Sequence, residues 1–337
     1  MLFKNMEIHG VGELITDKET GAVKWLRVPE NVYNAIESEQ GKTMCIGGTG
    51  VELRFVMESD EVTLRMRATG TRSVFHVYRG SIQVGLEDHE VNKIARGEYD
   101  DFVIKKSQNL PVLKRMTEDF QEPFSPEVIR VILDLGALEI LDVTGNIRPP
   151  KKEELPQKTL LTYGSSITHG SNSIDASHSW ASVVAHNLKV DVRNLGMAGS
   201  CRMEPDVIEY IASEGEKGNW DLATLELGIN VITWEEDQII ERVENTIKQI
   251  AGRNPEKAIY VISPFYCNDD YNNDGIEANK WRRLIPQVVK ELNYPNVTYI
   301  DGLDLLGDMS LISADEVHPN IYGVAQIAER LTKIIKG

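Results

Sequence analysis

The first half of the chain alternates apolar and polar residues with a period of two. The stretch from Val62 to Ala68 shows this most clearly, as a strand does when one face meets the core and the other meets water. Further strands are expected at 51–57, 74–78, 82–86, 101–105, 128–133 and 138–143, with turn-like clusters at 58–61 and 79–81. Many short strands with tight turns predict an antiparallel β-sandwich, and a jelly roll is favoured over a barrel.

The second half has a different periodicity. Short buried strands are expected at 158–163, 190–195, 221–227, 258–263 and 297–301. Helices with apolar residues at spacings of three and four are expected between them, at 179–188, 204–214, 236–253 and 276–292, with a last helix at 321–335. Alternating strands and helices predict a parallel sheet covered on both faces, and five strands fit a flavodoxin-like three-layer α/β/α domain.

Prolines and charged residues at 148–156 separate the two patterns, as linkers do. We therefore expect a β-sandwich (jelly-roll-like) accessory domain at 1–150 and an α/β domain at 151–337. The first 50 residues are less regular, and 31–39 fits either a short helix or a loop.

Charge and cysteine content limit the classes of function. The 337 residues carry a formal net charge of −16, which disfavours nucleic acid and anionic membranes as partners and fits a neutral small molecule. Cys45, Cys201 and Cys267 make neither a disulfide framework nor a zinc pattern, so a reducing compartment is expected. Because no apolar stretch has the length of a signal peptide core or a membrane span, we expect the cytoplasm. The oligomeric state stays open, a homo-oligomer included.

Residues with catalytic potential follow four different predicted strands. Ser166 comes after the first, a glycine-rich turn at 194–200 after the second, Asn230 after the third, and Asp315 with His318 just before the last helix. In a parallel sheet these loops emerge at the same, carboxyl edge. The residues can therefore converge although they are far apart in sequence.

These residue types suit acyl transfer. A serine hydroxyl becomes a good nucleophile when a base takes its proton, and His318 can be that base. Asp315, three residues earlier, can accept from Nδ1 of the imidazole and leave Nε2 for the serine. The backbone N–H groups of Ser166 and Gly199 and the side-chain amide of Asn230 can stabilise the oxyanion, where losing one donor typically costs about 2.7–4 kcal/mol.

In these motifs the chain resembles the SGNH hydrolases, the GDSL-type esterase superfamily. The matching segments occur in family order at 164–168, 194–199, 228–230 and 315–319. The resemblance implies that Ser166 is the nucleophile, that His318 is the base oriented by Asp315, and that Gly199 and Asn230 belong to the oxyanion hole.

Competing assignments and departures from the family pattern remain. Gly196 competes with Gly199 for the oxyanion role, although Gly199 has the family's distance of five residues from Asn194. His169 lies near the nucleophile but has no carboxylate at a comparable spacing. Ser165 stands where the family has an aspartate, so the hydrogen bonding of that loop must differ. Val231 likewise replaces the aspartate that commonly follows the asparagine.

The layout of the first half is similar to the jelly-roll domain of two-domain SGNH carbohydrate esterases and related acyltransferases. This implies a serine esterase that hydrolyses a short-chain acyl ester, acetyl in the first place, of a carbohydrate. Trp234, Tyr266 and Asn268 follow the third and fourth strands and are candidates for sugar binding. No cofactor and no metal are expected. The alternatives are a lipase or thioesterase, an acyltransferase with the same site, and a non-catalytic carbohydrate-binding protein.

Overall fold

The computed structural model describes residues 1–70, 73–84, 93–94 and 97–337. Residue contacts divide the chain into two units that are discontinuous in sequence. The first unit comprises 1–30, 45–157 and 189–191, and the second comprises 31–44, 158–188 and 192–337. The main change of unit thus falls after residue 157, and the segment 31–44 belongs to the C-terminal unit although the predicted domains are 1–150 and 151–337.

The first unit contains two antiparallel sheets. Its strands are β1 (Leu2–Phe3), β2 (Met6–His9), β3 (Glu13–Thr16), β4 (Val23–Leu26), β5 (Glu52–Met57), β6 (Glu61–Ala68), β7 (Ser73–Arg79), β8 (Ile82–Gln83), β9 (Lys93–Ile94), β10 (Asp100–Lys105), β11 (Val128–Leu133), β12 (Leu138–Thr144) and β13 (Ile147–Arg148). One sheet has the order β1-β2-β5-β11-β7-β8, with β13 beside β5 and β9 beside β7. The other has the order β10-β6-β12-β4-β3.

The strand order is that of a jelly roll. Among β4–β8 and β10–β12, one sheet reads β4-β12-β6-β10 and the other β5-β11-β7-β8. Successive strands cross between the sheets except at the β7–β8 hairpin, and the last strand returns beside the first, which is the double Greek key of a jelly roll. The predicted β-sandwich is confirmed.

Strand β6 shows period-two burial at the core of this sandwich. Along β6, Val62, Leu64 and Met66 are fully buried, while the residues between them are partly or largely exposed. Burying one such side chain stabilises the fold by about 1.5–3 kcal/mol. The predicted strand at 82–86 is described only to Val84, so residues 85–86 lie outside the described residues. A helix, α3 (Leu110–Asp119), was not predicted; it buries no residue, so it lacks a core-facing apolar stripe.

The second unit is built on a five-stranded parallel sheet. Its strands are β14 (Thr159–Gly164), β15 (Asp191–Gly196), β16 (Leu222–Glu226), β17 (Ala258–Ile262) and β18 (Val297–Ile300). Their order, β15-β14-β16-β17-β18, is the flavodoxin-like 2-1-3-4-5 order. All five lie within two residues of the predicted strands, and the predicted fold class is confirmed.

Helices surround this sheet. They are α1 (Glu30–Ala35), α2 (Glu39–Cys45), α4 (Ser166–His169), α5 (Trp180–Leu188), α6 (Pro205–Glu216), α7 (Glu236–Arg253), α8 (Asn268–Asn272), α9 (Ile276–Leu292), α10 (Gly302–Leu305) and α11 (Ile321–Lys336). The bounds of α7 and α9 coincide with the predicted ones. The stripe of α7 explains this, because Ile239, Val243 and Ile247 are fully buried while its charged residues face outward.

Two further observations concern the helices and the cysteines. Within the described ranges, no helix has the length and apolar character needed to cross a membrane. Cys45, Cys201 and Cys267 are buried, and within the described ranges none of them forms a disulfide.

Candidate active site

The nucleophile candidate sits at the sharp turn between β14 and α4. Ser165 caps the helix, because its side chain accepts a hydrogen bond from the backbone N–H of Ile167 at 3.1 Å. Ser166 is the first residue of α4, and only 7% of its surface is exposed. The cap therefore fixes the backbone on which the hydroxyl of Ser166 is presented.

His318 meets this hydroxyl from the far end of the chain. Its Nε2 lies 2.7 Å from Ser166 Oγ, across 152 residues of sequence. Its Nδ1 lies 2.9 Å from Oδ2 of Asp315. With the imidazole proton on Nδ1, the ring donates to Asp315 and accepts from the serine hydroxyl. The structure thus brings together the three residues proposed as nucleophile, base and orienting acid.

The carboxylate of Asp315 is held in the ionised state. It accepts the backbone N–H groups of Val317 at 3.1 Å and His318 at 2.9 Å. Partial burial raises the pKa of Asp315, but the hydrogen bonds from the backbone and side chain of His318 outweigh it and lower the pKa to about 2. The group therefore carries its charge at any pH at which a neutral histidine can act as a base.

A further donor to Asp315 is Asn172, whose Nδ2 donates to Oδ2 at 2.6 Å. Asn172 lies in the loop after α4 and has a left-handed backbone conformation, with φ of 63°. Asparagine tolerates that conformation better than most residues. The sequence analysis missed Asn172, because no motif connects it to a residue 143 positions later.

The proposed oxyanion donors line one cavity together with Ser166. They are Gly199 and Asn230. The backbone N–H of Cys201 donates to Oδ1 of Asn230 at 3.0 Å, which orients the amide and leaves Nδ2 for a ligand. Gly199 has a φ of +69°, a conformation that a residue with a Cβ rarely adopts. In the part of the chain that is described, the backbone N–H groups of Ser166 and Gly199 and the side-chain amide of Asn230 donate to no protein acceptor.

The structure places Gly196 and His169, the competing candidates for oxyanion donor and base, away from these functions. The N–H of Gly196 donates to Oδ1 of Asn194 at 2.8 Å, so it is already committed within the loop. His169 is the last residue of α4 and is 97% buried, since its exposed fraction is 3%. His318, and not His169, contacts the Ser166 hydroxyl.

The segment 31–44 brings a second unpredicted residue to the site. Gln40, in α2, donates from Nε2 to the carbonyl of Ala198 at 3.3 Å. Its side chain also lies 3.4 Å from the position that a Cβ on Gly199 would occupy. Gln40 therefore supports the loop that carries Gly199. Sequence reasoning placed this segment with the β-rich half and could not connect it to the site.

The cavity around Ser166 has a volume of about 750 Å³. One group of lining residues is entirely polar and comes from a single segment, 268–277; its members are Asn268, Asp269, Asn273 and Glu277. A second group, beside the oxyanion donors, includes Ala198, Ile229 and Ile232. The site thus offers amide and carboxylate groups as well as apolar surface within reach of the nucleophile.

Of the three residues predicted to bind a sugar, only Asn268 lines this cavity. The ring of Trp234 packs beside that of Trp281, with the centroids 6.4 Å apart. Tyr266 is not among the lining residues either, and its backbone N–H donates to the carbonyl of Leu306. Position after a strand places a residue at the correct edge of the sheet, but it does not decide where the side chain points.

Comparison with known protein families finds one match. A sequence profile of the GDSL-like lipase/acylhydrolase family matches residues 157–336. No curated protein matches the sequence at a significant level.

Several solved structures have a similar fold over nearly the whole chain. SsfX3, a salicylyl-acyltransferase from a tetracycline biosynthetic pathway, has a TM-score of 0.80 and 16% identity, covering 99% of this chain and 94% of that one. A family two carbohydrate esterase from Cellvibrio japonicus has a TM-score of 0.65 and 12% identity, covering 98% and 94%. An acetyl xylan esterase from the rumen bacterium Butyrivibrio proteoclasticus has a TM-score of 0.56 and 12% identity, covering 99% and 96%. At these identities the similarity establishes a shared fold for both parts of the chain.

Proposed function

The chain belongs to the GDSL-like lipase/acylhydrolase family, and from this premise we propose that it is a serine esterase acting on a carbohydrate ester with a short acyl group, acetyl in the first place. The observation that carries the esterase chemistry is the pair of contacts made by His318, to Ser166 at 2.7 Å and to Asp315 at 2.9 Å.

The first half of the proposed reaction forms an acyl-enzyme. Ser166 Oγ attacks the ester carbonyl carbon while its proton moves to Nε2 of His318. The carbonyl oxygen becomes an oxyanion that accepts hydrogen bonds from the amides of Ser166, Gly199 and Asn230. The bond to the alcohol then breaks, and His318 gives its proton to the leaving oxygen.

The second half releases the acid. Water attacks the acyl carbon, and His318 takes the proton of the water. When the bond to Ser166 Oγ breaks, His318 returns a proton to the serine, and the carboxylic acid leaves. Only side chains, backbone amides and water take part in this scheme, and no cofactor is invoked.

The polar wall at 268–277 supports a hydroxyl-rich substrate. Asn268 and Asn273 can both donate and accept hydrogen bonds, as sugar hydroxyls do. Asp269 accepts the backbone N–H of Ala278 at 2.8 Å, and Glu277 pairs with Lys280 at 2.6 Å, so this wall carries little uncompensated charge. With the chain's net charge of −16, this points to a neutral small-molecule ester and away from nucleic acid and anionic membranes.

Acyl transfer is a second candidate. It is supported by the fold similarity to a protein described as a salicylyl-acyltransferase, with a TM-score of 0.80. The same acyl-enzyme would then react with an acceptor alcohol in place of water. Apolar lining residues such as Ile229 and Ile232 also keep a lipase or thioesterase as an alternative.

Acetate release from a panel of acetylated mono- and oligosaccharides tests the proposal. We expect release from at least one sugar, and a preference of about tenfold or more for p-nitrophenyl acetate over the octanoate. A preference for octanoate would support the lipase reading. A new ester formed when alcohols are added would support acyl transfer.

The Ser166→Ala variant is the control in every arm. If wild type and variant released acetate at the same slow rate, the esterase assignment would fail. Sugar binding retained by both proteins would then favour the non-catalytic carbohydrate-binding alternative.

A further inference from the structure

A buried carboxylate lies directly behind the nucleophile turn. Glu226 is the last residue of β16, and its side chain is fully buried. Its Oε2 accepts hydrogen bonds from the backbone N–H of Ser165 at 2.7 Å and from the hydroxyl of Ser165 at 2.7 Å. The hydroxyl of Thr168 donates to the same oxygen at 3.1 Å. One carboxylate thus holds residues on both sides of Ser166.

The approach of this carboxylate requires Gly164. A Cβ at position 164 would lie 2.7 Å from Oε2 of Glu226 and 2.2 Å from Oγ1 of Thr168. Real Cβ atoms do not come so close to other heavy atoms, so a larger residue would push the carboxylate away from the turn. The absence of a side chain at Gly164 therefore allows the carboxylate of Glu226 to reach the turn.

The contact between Glu226 and this turn also explains the serine at position 165. The resemblance to the family places an aspartate there, and in this chain a neighbouring strand supplies the carboxylate to the same turn. Ser165 connects this carboxylate to α4, because its hydroxyl donates to Glu226 and accepts from the N–H of Ile167 at 3.1 Å. The first turn of α4, which carries Ser166, is therefore tied to β16.

We propose that Glu226 is a positioning residue for the nucleophile, and that its carboxylate replaces the aspartate missing at position 165. It touches no reacting atom and acts through Ser165 and Thr168 on the backbone of Ser166. The inference rests on the serine-esterase chemistry of the proposed function, and it is independent of the alcohol that carries the acyl group.

The surroundings of Glu226 make its charge sensitive to pH near neutrality. Burial raises its pKa to about 7, and the hydrogen bonds from Ser165 and Thr168 offset only part of that effect. The titratable groups that face it are the thiol of Cys201 and, beyond it, the phenol of Tyr163, and burial raises the pKa of both, so they are neutral at pH 7. Among the described residues, no cation is found in contact with this carboxylate. Among the residues that the structure describes, none places a hydrogen-bond donor on its second oxygen, Oε1, which is buried.

The test is a double-mutant cycle with Glu226→Gln and Ser165→Asp. The glutamine keeps the shape and can still accept from Ser165, so we expect kcat for p-nitrophenyl acetate to fall about tenfold with KM within twofold. The aspartate alone puts two carboxylates side by side, and we expect a loss of about 100-fold at pH 8. In the double variant the glutamine amide can donate to the new carboxylate, so kcat should exceed that of Ser165→Asp by at least tenfold.

One further readout and two further variants separate positioning from general stability. The pH profile of kcat should lose a titration near pH 7 in Glu226→Gln. Glu214→Gln is the matched control, since Glu214 is also buried in this unit but pairs with Arg193 at 2.7 Å. It should lower the Tm and leave kcat within twofold. If Ser165→Asp does not fold, Ser165→Ala replaces it, with an expected fall in kcat of about fivefold and an equally unchanged KM.

Two results would overturn the inference. One is an unchanged kcat and an unchanged pH profile in Glu226→Gln. The other is a double variant whose loss equals the product of the two single losses, because independent effects multiply. Labelling of Ser166 by a fluorophosphonate keeps the underlying chemistry separate: if the wild type is not labelled, the esterase proposal itself has failed, whereas slower labelling of Glu226→Gln alone supports positioning.

Discussion

Two aspartate–histidine pairs in the second unit have the same local structure. In each, the aspartate stands three residues before the histidine: Asp315 and His318 in one, Asp175 and His178 in the other. Each aspartate accepts the backbone N–H groups of the second and third residues after it. Each also lies 2.9 Å from Nδ1 of its histidine. An aspartate at this spacing therefore orients an imidazole by local geometry alone.

The two pairs differ in what lies on the other side of the ring. Nε2 of His318 is 2.7 Å from Ser166 Oγ, which comes from a distant part of the chain. The hydroxyl near His178 is that of its neighbour Ser177, and it is 3.2 Å from Nδ1, the nitrogen that already faces the carboxylate. The side chain of His178 is also 41% exposed, against 22% for His318. Spacing creates an oriented histidine, and tertiary structure makes one of the two a candidate base.

The largest effect is expected from removing the hydroxyl that distinguishes the pairs. Ser166→Ala should lower kcat by about 10³–10⁶-fold, because no nucleophile remains and only binding and the oxyanion donors act. Ester hydrolysis and mass spectrometry of the acyl-enzyme measure this. Ser177→Ala is the matched variant and should keep the wild-type rate; an acyl group found on any residue other than Ser166 would contradict the assignment.

Exchanging the histidines comes next. We expect His318→Ala to lower kcat by about 10³-fold or more, because the serine loses its base. His178→Ala should change kcat by less than twofold, although it removes an equally well-oriented imidazole. Steady-state kinetics at pH 8 compare the two. Equal losses in both variants would mean that the geometry at Ser166 is not what matters.

The aspartates should show the same contrast with a smaller effect. Asp315→Asn removes the charge that fixes the tautomer of His318, and we expect a loss of about 10²–10⁴-fold in kcat. Asp175→Asn should leave kcat within twofold. The pKa of Asp315 is about 2, so the wild-type rate should show no titration of this carboxylate between pH 4 and 9. A titration in that range that disappears in Asp315→Asn would show that the carboxylate is less acidic than its contacts imply.

Each aspartate also accepts a hydrogen bond from a side chain other than its histidine, and this contact gives a finer test. Asn172 donates to Asp315 from a distant loop, whereas Ser177 donates to Asp175 at 2.6 Å from two residues away. Removing a single hydrogen bond to a charged group costs about 1.5–3 kcal/mol when it is buried and less when exposed, as here. We therefore expect Asn172→Ala to lower kcat about three- to tenfold. A rate unchanged in this variant would limit the orienting contacts to those within the pair.

The smallest effect concerns stability. The hydrogen bond with Asp175 raises the pKa of His178 against the opposing effect of burial. Folding therefore favours the protonated ring, and the stabilisation is present below the ordinary pKa of about 6.5 and lost as pH rises through the raised value. His178→Gln should be less stable than the wild type by about 0.5 kcal/mol at pH 5.5, after allowance for solvent screening, and equal to it at pH 9. Urea unfolding at the two pH values decides; a difference that grows with pH would reverse the sign of the linkage.

The comparison shows how far sequence reasoning reaches. Helix α7, the strands of the parallel sheet and the longer strands of the first unit after residue 50 could be predicted from the pattern, whereas β1 to β4 were not predicted. The joint position of Ser166, Asn230 and His318 followed from topology, since parallel strands deliver their loops to one edge. Both arguments need only local patterns and the order of the elements.

Several features of the site could not be read from the sequence, and they have a common cause. Trp234 and Tyr266 come after strands on the correct edge, yet neither lines the cavity. Asn172 and Gln40 contact the site from loops or helices that no local pattern connects to it. Contacts between distant segments depend on the packing of whole elements, and the spacing of residues within one element does not encode them.

The amino-acid sequence by itself determined the two fold classes, the candidate residues of the site and the capacity of Asp315 to orient His318, because these depend on short-range periodicity, spacing and residue chemistry. The tertiary structure alone decided which oriented histidine has a serine hydroxyl at its Nε2, and that the carboxylate behind the candidate nucleophile comes from Glu226 on a neighbouring strand. The physical reason is the separation of the partners along the sequence. The hydrogen bond from Ser165 to Glu226 joins residues 61 positions apart, and only the folded chain brings them within 2.7 Å.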